Sequence, residues 1–198
     1  MISTAYSLEQ FASDMQELVN GERDQKRMFE KGATYLERLV RNPSAIPEQY
    51  RKPCGRGAKP NHGSYALHRG KDLFITAAVW GPGDGVTAHD HRTWGLIGMM
   101  ENSIQETRYR RLDDGKREGM AKLEQTGVKL IKPGEVSVLV PDEDEIHAMN
   151  NFSDKVTVEV HVYGRDLAGL ERHNYDLEAG KVIKFRKSFA DRLKPEAA

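Results

Sequence analysis

The sequence predicts a mainly β fold, a sandwich or closed barrel behind an N-terminal pair of α-helices. Apolar residues recur at helical spacing over about the first forty residues. From residue 72 onward, short segments rich in β-branched and aromatic residues follow one another. Clusters of Gly, Pro, Asp and Asn separate them, as turns between strands require.

In the first helix, Leu8, Phe11, Met15, Leu18 and Val19 recur on one side, and Ser7 with Gln10 makes a capping box. After Asn20-Gly21, a second stretch places Phe29, Ala33, Leu36 and Val40 together, and Pro43 stops it. These stripes are packing surfaces. Residues 51–63, RKPCGRGAKPNHG, read as a surface loop, with a substrate-gating loop as the alternative. The expected strands are Asp72–Trp80, Gly95–Met100, Ser103–Arg110, Val128–Ile131, Glu135–Val140, Lys155–Tyr163 and Lys181–Phe185. Internal repeats and low-complexity tracts are absent. One domain over 1–198 is expected, with helices in 1–45 and the β barrel in 60–187.

Composition narrows the function classes. Lys+Arg and Asp+Glu both total 30, so no global field attracts nucleic acid or an anionic membrane. No apolar run approaches the roughly 20 residues needed to span a bilayer. The N-terminus lacks the basic start and apolar core of a signal peptide, so a cytoplasmic protein is expected. A single cysteine, Cys54, excludes an internal disulfide framework and a cysteine-rich zinc site.

The chemistry concentrates in the histidines. His89 and His91 sit in GPGDGVTAHDHRTWGLIG, after a turn-rich stretch. In an extended strand, residues two apart share a face, so both imidazoles can reach one metal while Asp90 points away. Downstream, in PGEVSVLVPDEDEIHAMNN, Gly134 opens a strand, Pro141 ends it, and His147 precedes Asn151 by four residues.

This order of motifs resembles the two-motif signature of the cupin superfamily, a jelly-roll barrel. There the first motif supplies two histidines and a glutamate, the second one histidine. Gly95 stands where the glutamate is expected, which leaves a neutral three-histidine set, His89, His91 and His147. The stretch VWGPGDGVTAHDHRTWGLIGMMENSIQETRYRR is similar to the cysteine dioxygenase type I family, the thiol dioxygenases. It is nearest to the bacterial members that act on 3-mercaptopropionate and related thiols. The resemblance runs from about Tyr65 to Tyr163, and is most specific in His-Asp-His-x-x-Trp-Gly-Leu-x-Gly and in Tyr163-Gly164.

The resemblance implies one Fe(II) per chain, with a small thiol and dioxygen as partners and a sulfinic acid as product. It also implies a Ser-His-Tyr relay on the strand Thr157–Tyr163, where Val158, Val160 and Val162 alternate with Glu159, His161 and Tyr163. An isolated strand of this pattern would bury the valines and wet the polar face. A barrel holding a metal reverses that preference, because its interior gathers a few polar groups. Tyr163 is expected to donate a hydrogen bond to bound oxygen or substrate. Glu159 replaces the family's serine, and a carboxylate there would hold the tautomer of His161 in a relay of more negative character. Gly95 also occupies about the place of the cysteine that crosslinks the tyrosine in mammalian enzymes, and Cys54 does not substitute for it.

A substrate carboxylate calls for a planar cation. Arg172, nine residues after Tyr163 as in the mercaptopropionate enzymes, and Arg165 are the candidates. Mammalian enzymes carry an arginine on the strand before the His-x-His. The stretch His62–His68 has none, which speaks against cysteine as the best substrate. His62 and His68 are pocket or surface residues, and His173 is structural or exposed. Three readings compete: a three-histidine dioxygenase of a β-diketone, a non-catalytic metal-binding sensor, and a zinc hydrolase, which lacks a positioned base. A monomer or small homo-oligomer is expected.

Overall fold

A computed structural model describes residues 6–55 and 59–187. Helix α1 spans Leu8–Gly21 and α2 spans Gln25–Val40. The capping box forms as the sequence predicts: Gln10 N–H donates to Ser7 Oγ at 3.2 Å, and Ser7 N–H donates to Gln10 Oε1 at 3.1 Å. Asp24 caps α2 by accepting from Arg27 N–H. The buried side of α2 is Met28, Gly32, Leu36, Leu39 and Val40, whereas Phe29 and Ala33 are only half-buried. Close approach explains this rotation of the stripe. A methyl added at Gly32 would lie 2.8 Å from Leu96 Cδ1, and one at Gly98 would lie 2.7 Å from Leu36 Cγ. The helix therefore lies against the sheet along a glycine-lined contact.

Eleven strands follow among the described residues: β1 His62–Gly70, β2 Leu73–Trp80, β3 Gly85–His89, β4 Gly95–Glu101, β5 Ile104–Arg111, β6 Leu123–Ile131, β7 Val136–Leu139, β8 Ile146–Asn150, β9 Thr157–Tyr163, β10 Arg172–Asp176 and β11 Lys181–Phe185. They form a five-stranded sheet, β1-β2-β9-β4-β7, and a six-stranded sheet, β11-β10-β3-β8-β5-β6. Every pairing between these named strands is antiparallel. This is the mainly β jelly roll of the cupin expectation. Among the described residues, the named strands of the two sheets share no ladder, so the barrel is two facing sheets rather than one closed sheet. The loop expected over 51–63 gives way to β1 at His62, and β3, β8 and β10 are strands that the sequence pattern does not pick out.

Strand β9 lies between β2 and β4, and every one of its residues is buried. Its valines join Phe11, Met15, Leu36 and Leu39 in one cluster beneath the helices. Burial of each valine contributes about 1.5–3 kcal/mol, which holds the register of the strand. A slip of one residue would turn Glu159 and His161 toward the helices. The alternating face thus points Glu159, His161 and Tyr163 between the sheets. No helix among the described residues is long and apolar enough to cross a membrane.

Candidate metal centre

Three histidines from two stretches of the chain converge. His89 ends β3, His91 lies two residues beyond it, and His147 sits on β8 directly opposite His89. One ring nitrogen from each lies within 4.8 Å of the others, and all three are buried. The two histidines of the His-x-His do not share one strand, as the spacing suggested. β3 stops at His89, and Arg92 turns the chain with φ 56°. Glu145 holds that turn by accepting from His91 N–H at 3.1 Å and Arg92 N–H at 2.9 Å. Asp90 is equally engaged: its carboxylate accepts from His173 N–H and Nδ1–H and from the Tyr175 hydroxyl.

The remaining ring nitrogens fit a metal. His89 Nδ1–H donates to Thr87 O at 2.9 Å, and His147 Nδ1–H to Glu106 Oε1 at 2.7 Å, so each keeps Nε2 as a donor to an ion. His91 Nδ1 is buried and has no hydrogen-bond partner. Burial, then the charges of neighbouring imidazoles, pushes His89 and His91 well below the ordinary histidine range, so both are neutral at pH 7. Burial alone would raise Glu106. The hydrogen bond from His147, the charges of His147 and Arg108, and the Ser137 hydroxyl outweigh it and hold the carboxyl at about 2. Three imidazoles around one point, one of them backed by a carboxylate, suit a divalent transition metal.

Beside them, β9 presents its polar face. The Tyr163 ring stacks on His91 with centroids 5.3 Å apart. Tyr163 Oη lies 2.6 Å from His161 Nδ1, and His161 Nε2 lies 3.0 Å from Glu159 Oε2. Trp80 Nε1–H donates to the same Glu159 oxygen at 2.6 Å. A methyl added at Gly95 would lie 3.1 Å from both Leu139 and the Tyr163 ring. The position where cupins carry a glutamate is therefore taken up by the packing of the tyrosine.

A cavity of about 340 Å³ opens between the sheets, and His89, His91, His147, His161, Tyr163 and Arg172 all line it. Arg172 is buried, its guanidinium lies 4.6 Å from the Phe185 ring centroid, and its Nε has no partner. Arg165 is exposed and outside the lining, because β9 has ended and the chain has turned at Gly164. His62 lines the cavity, with Nδ1 held by Asp84 at 2.9 Å, while His68 lies on another surface beside Gln16 and Gly70. Lys59, within the expected surface loop, also lines the mouth. His173 is structural, clamped to Asp90. Nothing in the sequence singles out Glu106 or Trp80. Glu106 and Trp80 meet their partners 41 and 79 residues away, and no spacing encodes such pairs.

The model of the cysteine dioxygenase type I family matches residues 68–176. The chain belongs to the cysteine dioxygenase type I family. Within that match lie the three histidines, the β9 triad and Arg172. Among solved structures, the chain is similar to oxalate oxidase in complex with glycolate, at 14% identity and a TM-score of 0.46. That similarity covers 63% of this chain and 60% of the other, so the chain spans about three-fifths of the oxidase's length. A cupin superfamily protein from Desulfitobacterium hafniense is 16% identical, covering 64% and 89% of the two chains with a TM-score of 0.41. A double-stranded β-helix protein from Klebsiella pneumoniae is 12% identical, covering 71% and 88% with a TM-score of 0.43.

Proposed function

We propose that this protein is a non-haem iron thiol dioxygenase that converts a small thiol carboxylate and O2 to the sulfinic acid, RSH + O2 → RSO2H. What supports this most is that three imidazoles, a tyrosine and a buried, incompletely paired arginine line one small cavity in a member of this family. Fe(II) held by His89, His91 and His147 would keep its full 2+ charge and supply the redox chemistry by which both oxygen atoms end on sulfur.

The chain's own residues do the rest. Arg172, whose Nε has no partner, faces the substrate carboxylate from the cavity wall, and burial pulls its pKa below the usual arginine value. Phe185 beneath it and Leu167 beside it exclude water, which strengthens the charge pairing. Glu106 and the Thr87 carbonyl hold the ligand rings in place. Tyr163, His161 and Glu159 form the hydrogen-bonded chain that meets the reacting groups. Ser64 and His62 are the described β1 residues that line the cavity, and neither is an arginine that would favour cysteine. A thiol acid of the 3-mercaptopropionate kind is therefore the preferred substrate.

The test is oxygen uptake by anaerobically iron-loaded protein with 3-mercaptopropionate, cysteine, cysteamine, mercaptosuccinate and a β-diketone. The expected result is uptake with a carboxylated thiol, matched by sulfinate and abolished in His147→Ala. Arg172→Ala should raise KM for the thiol acid about ten- to hundred-fold, the loss of one charge-assisted pair, and leave cysteamine unaffected. Uptake with the diketone alone, or none at all, overturns the reading.

A further inference from the structure

We infer that the cavity takes a longer thiol acid than 3-mercaptopropionate itself: one whose thiol-bearing carbon also carries an apolar chain, ending in a second carboxylate at Lys59. This rests on the proposed function for the thiol and its first carboxylate. The second arm of the cavity is a property of the fold alone.

The strand registers place two arms on either side of the three histidines. On the six-stranded sheet, His147 stands opposite His89 and Met149 opposite Val86. On the five-stranded sheet, Tyr163 stands opposite Phe74, His161 opposite Thr76, and Thr157 opposite Trp80. At one end the lining is Tyr163, Leu167, Arg172 and Phe185. At the other it is Ala78, Trp80, Val86 and Met149. A three-carbon thiol acid, with sulfur at the histidines and its carboxylate at Arg172, occupies only the first arm. From His147 to Met149 the strand advances about 7 Å in the other direction, and no part of such a substrate extends there.

Small side chains keep this second arm open. Ser64 and Ala78 face each other across β1 and β2, and both line the cavity. The arm's walls are apolar. Ala78, Trp80 and Met149 belong to one cluster with Met99, Ile104 and Ile131, and Val86 packs against it. A hydrocarbon chain is favoured over water in such a place.

The far end is cationic. Lys59 Nζ donates to the Gly85 carbonyl at 2.6 Å and stands 3.6 Å from Asp84 Oδ1, which sets the ammonium at the start of β3 with a hydrogen to spare. The His62 ring, held by Asp84, packs edge-on against Trp80 with centroids 4.7 Å apart and also lines the cavity. Asp84 stands outside the lining. Among the described residues the lining contains no carboxylate, whereas Arg172, Lys59 and Lys187 are all part of it. Such a surface suits two anionic groups and offers an ammonium no partner of opposite charge. A chain ending in a carboxylate matches both the walls and the end of the arm. A plain alkyl chain matches the walls alone.

Binding can be read by calorimetry, without oxygen, in full-length protein loaded with zinc, so that no turnover is needed. The probes are 3-mercaptopropionate, 3-mercaptohexanoate and 3-mercaptohexanedioate, which share the thiol and first carboxylate and differ in the chain and its end. Affinity should rise in that order, about tenfold for the buried chain and about three- to tenfold more for a carboxylate at a half-exposed lysine. Lys59→Gln should bring the two longer acids to equal affinity, and Lys59→Arg should restore their difference. Ser64→Leu, which fills the arm, should remove the advantage of the chain. If 3-mercaptopropionate binds as tightly as both longer acids, the inference is overturned while the thiol reading stands. A preference for the diacid that survives Lys59→Gln overturns the place given to the second carboxylate. Absence of binding by all three overturns the thiol reading together with the inference.

Discussion

Glu106 shows how much a single buried carboxylate settles around a ligand. It accepts from His147 Nδ1–H, receives Arg108 and Ser137 on its remaining valences, and is itself 3% exposed. With His147 it decides which ring nitrogen faces the metal. Glu106→Gln keeps the shape and removes the charge. It should weaken metal affinity about ten- to hundred-fold, as loss of such supporting partners does, and chelator competition measures this. Unchanged affinity would mean that the β5–β8 register alone orients the ring. Arg172 and Arg165 make the complementary point. Seven residues apart and equally suited by type, they differ in that one is buried in the cavity lining and the other is exposed.

At the scale of elements, two contacts control how the site is assembled. Helix α2 rests on β4 through Gly98, where an added methyl would meet Leu36 Cγ at 2.7 Å and Val40 Cγ1 at 2.8 Å. Gly98→Ala should therefore cost about 1–3 kcal/mol, the range for overpacking a core, seen as a lower denaturant midpoint. Gly21→Ala, with nothing within 4 Å, should leave the midpoint nearly unchanged. The second contact joins β1 to the turn before β3. Asp84 is partly buried, which acts to raise its pKa, but the hydrogen bond and charge of His62, with Lys59 and the Gly85 N–H, bring it below the usual aspartate value. A lowered folded-state pKa contributes stability above the unfolded value, about 3.9, and loses it as pH falls through the folded value. Asp84→Asn should accordingly flatten the acid limb of the stability–pH curve below about pH 4 while leaving its slope near neutrality. An acid limb as steep as the parent's would assign that pH dependence to other carboxylates.

For the whole molecule, the three ligands lie on two adjacent strands and the turn after one of them, so metal binding ties β3 to β8. An ion that binds only the folded chain stabilises it by mass action, about 2.7 kcal/mol at a hundredfold excess over Kd. Tm should rise with Fe(II) or a zinc substitute and fall with chelator, and His147→Ala should lose that response. A Tm indifferent to metal would place the cluster among packed histidines without a bound ion.

Much of this architecture is legible in the sequence, and the failures have a common cause. The capping box at Ser7, the end of α2 before Pro43 and the alternation of β9 are local patterns, set by neighbours within four residues. The strands missed, β1, β3, β8 and β10, are short or mixed in polarity, and they exist because partners pair with them. The extended His-x-His was expected to continue through His91, but Glu145, 54 residues away, supplies the acceptors that turn the chain there. By itself, the sequence determined the family, the helical pair, the candidate ligands and the polar face of one strand, because each is written in residue type and short spacing. Only the tertiary structure decided which arginine enters the cavity, which carboxylate backs His147, and that Trp80 and His161 share one oxygen of Glu159. Those outcomes depend on contacts between strands far apart in the chain, and strand pairing, rather than periodicity, brings them together.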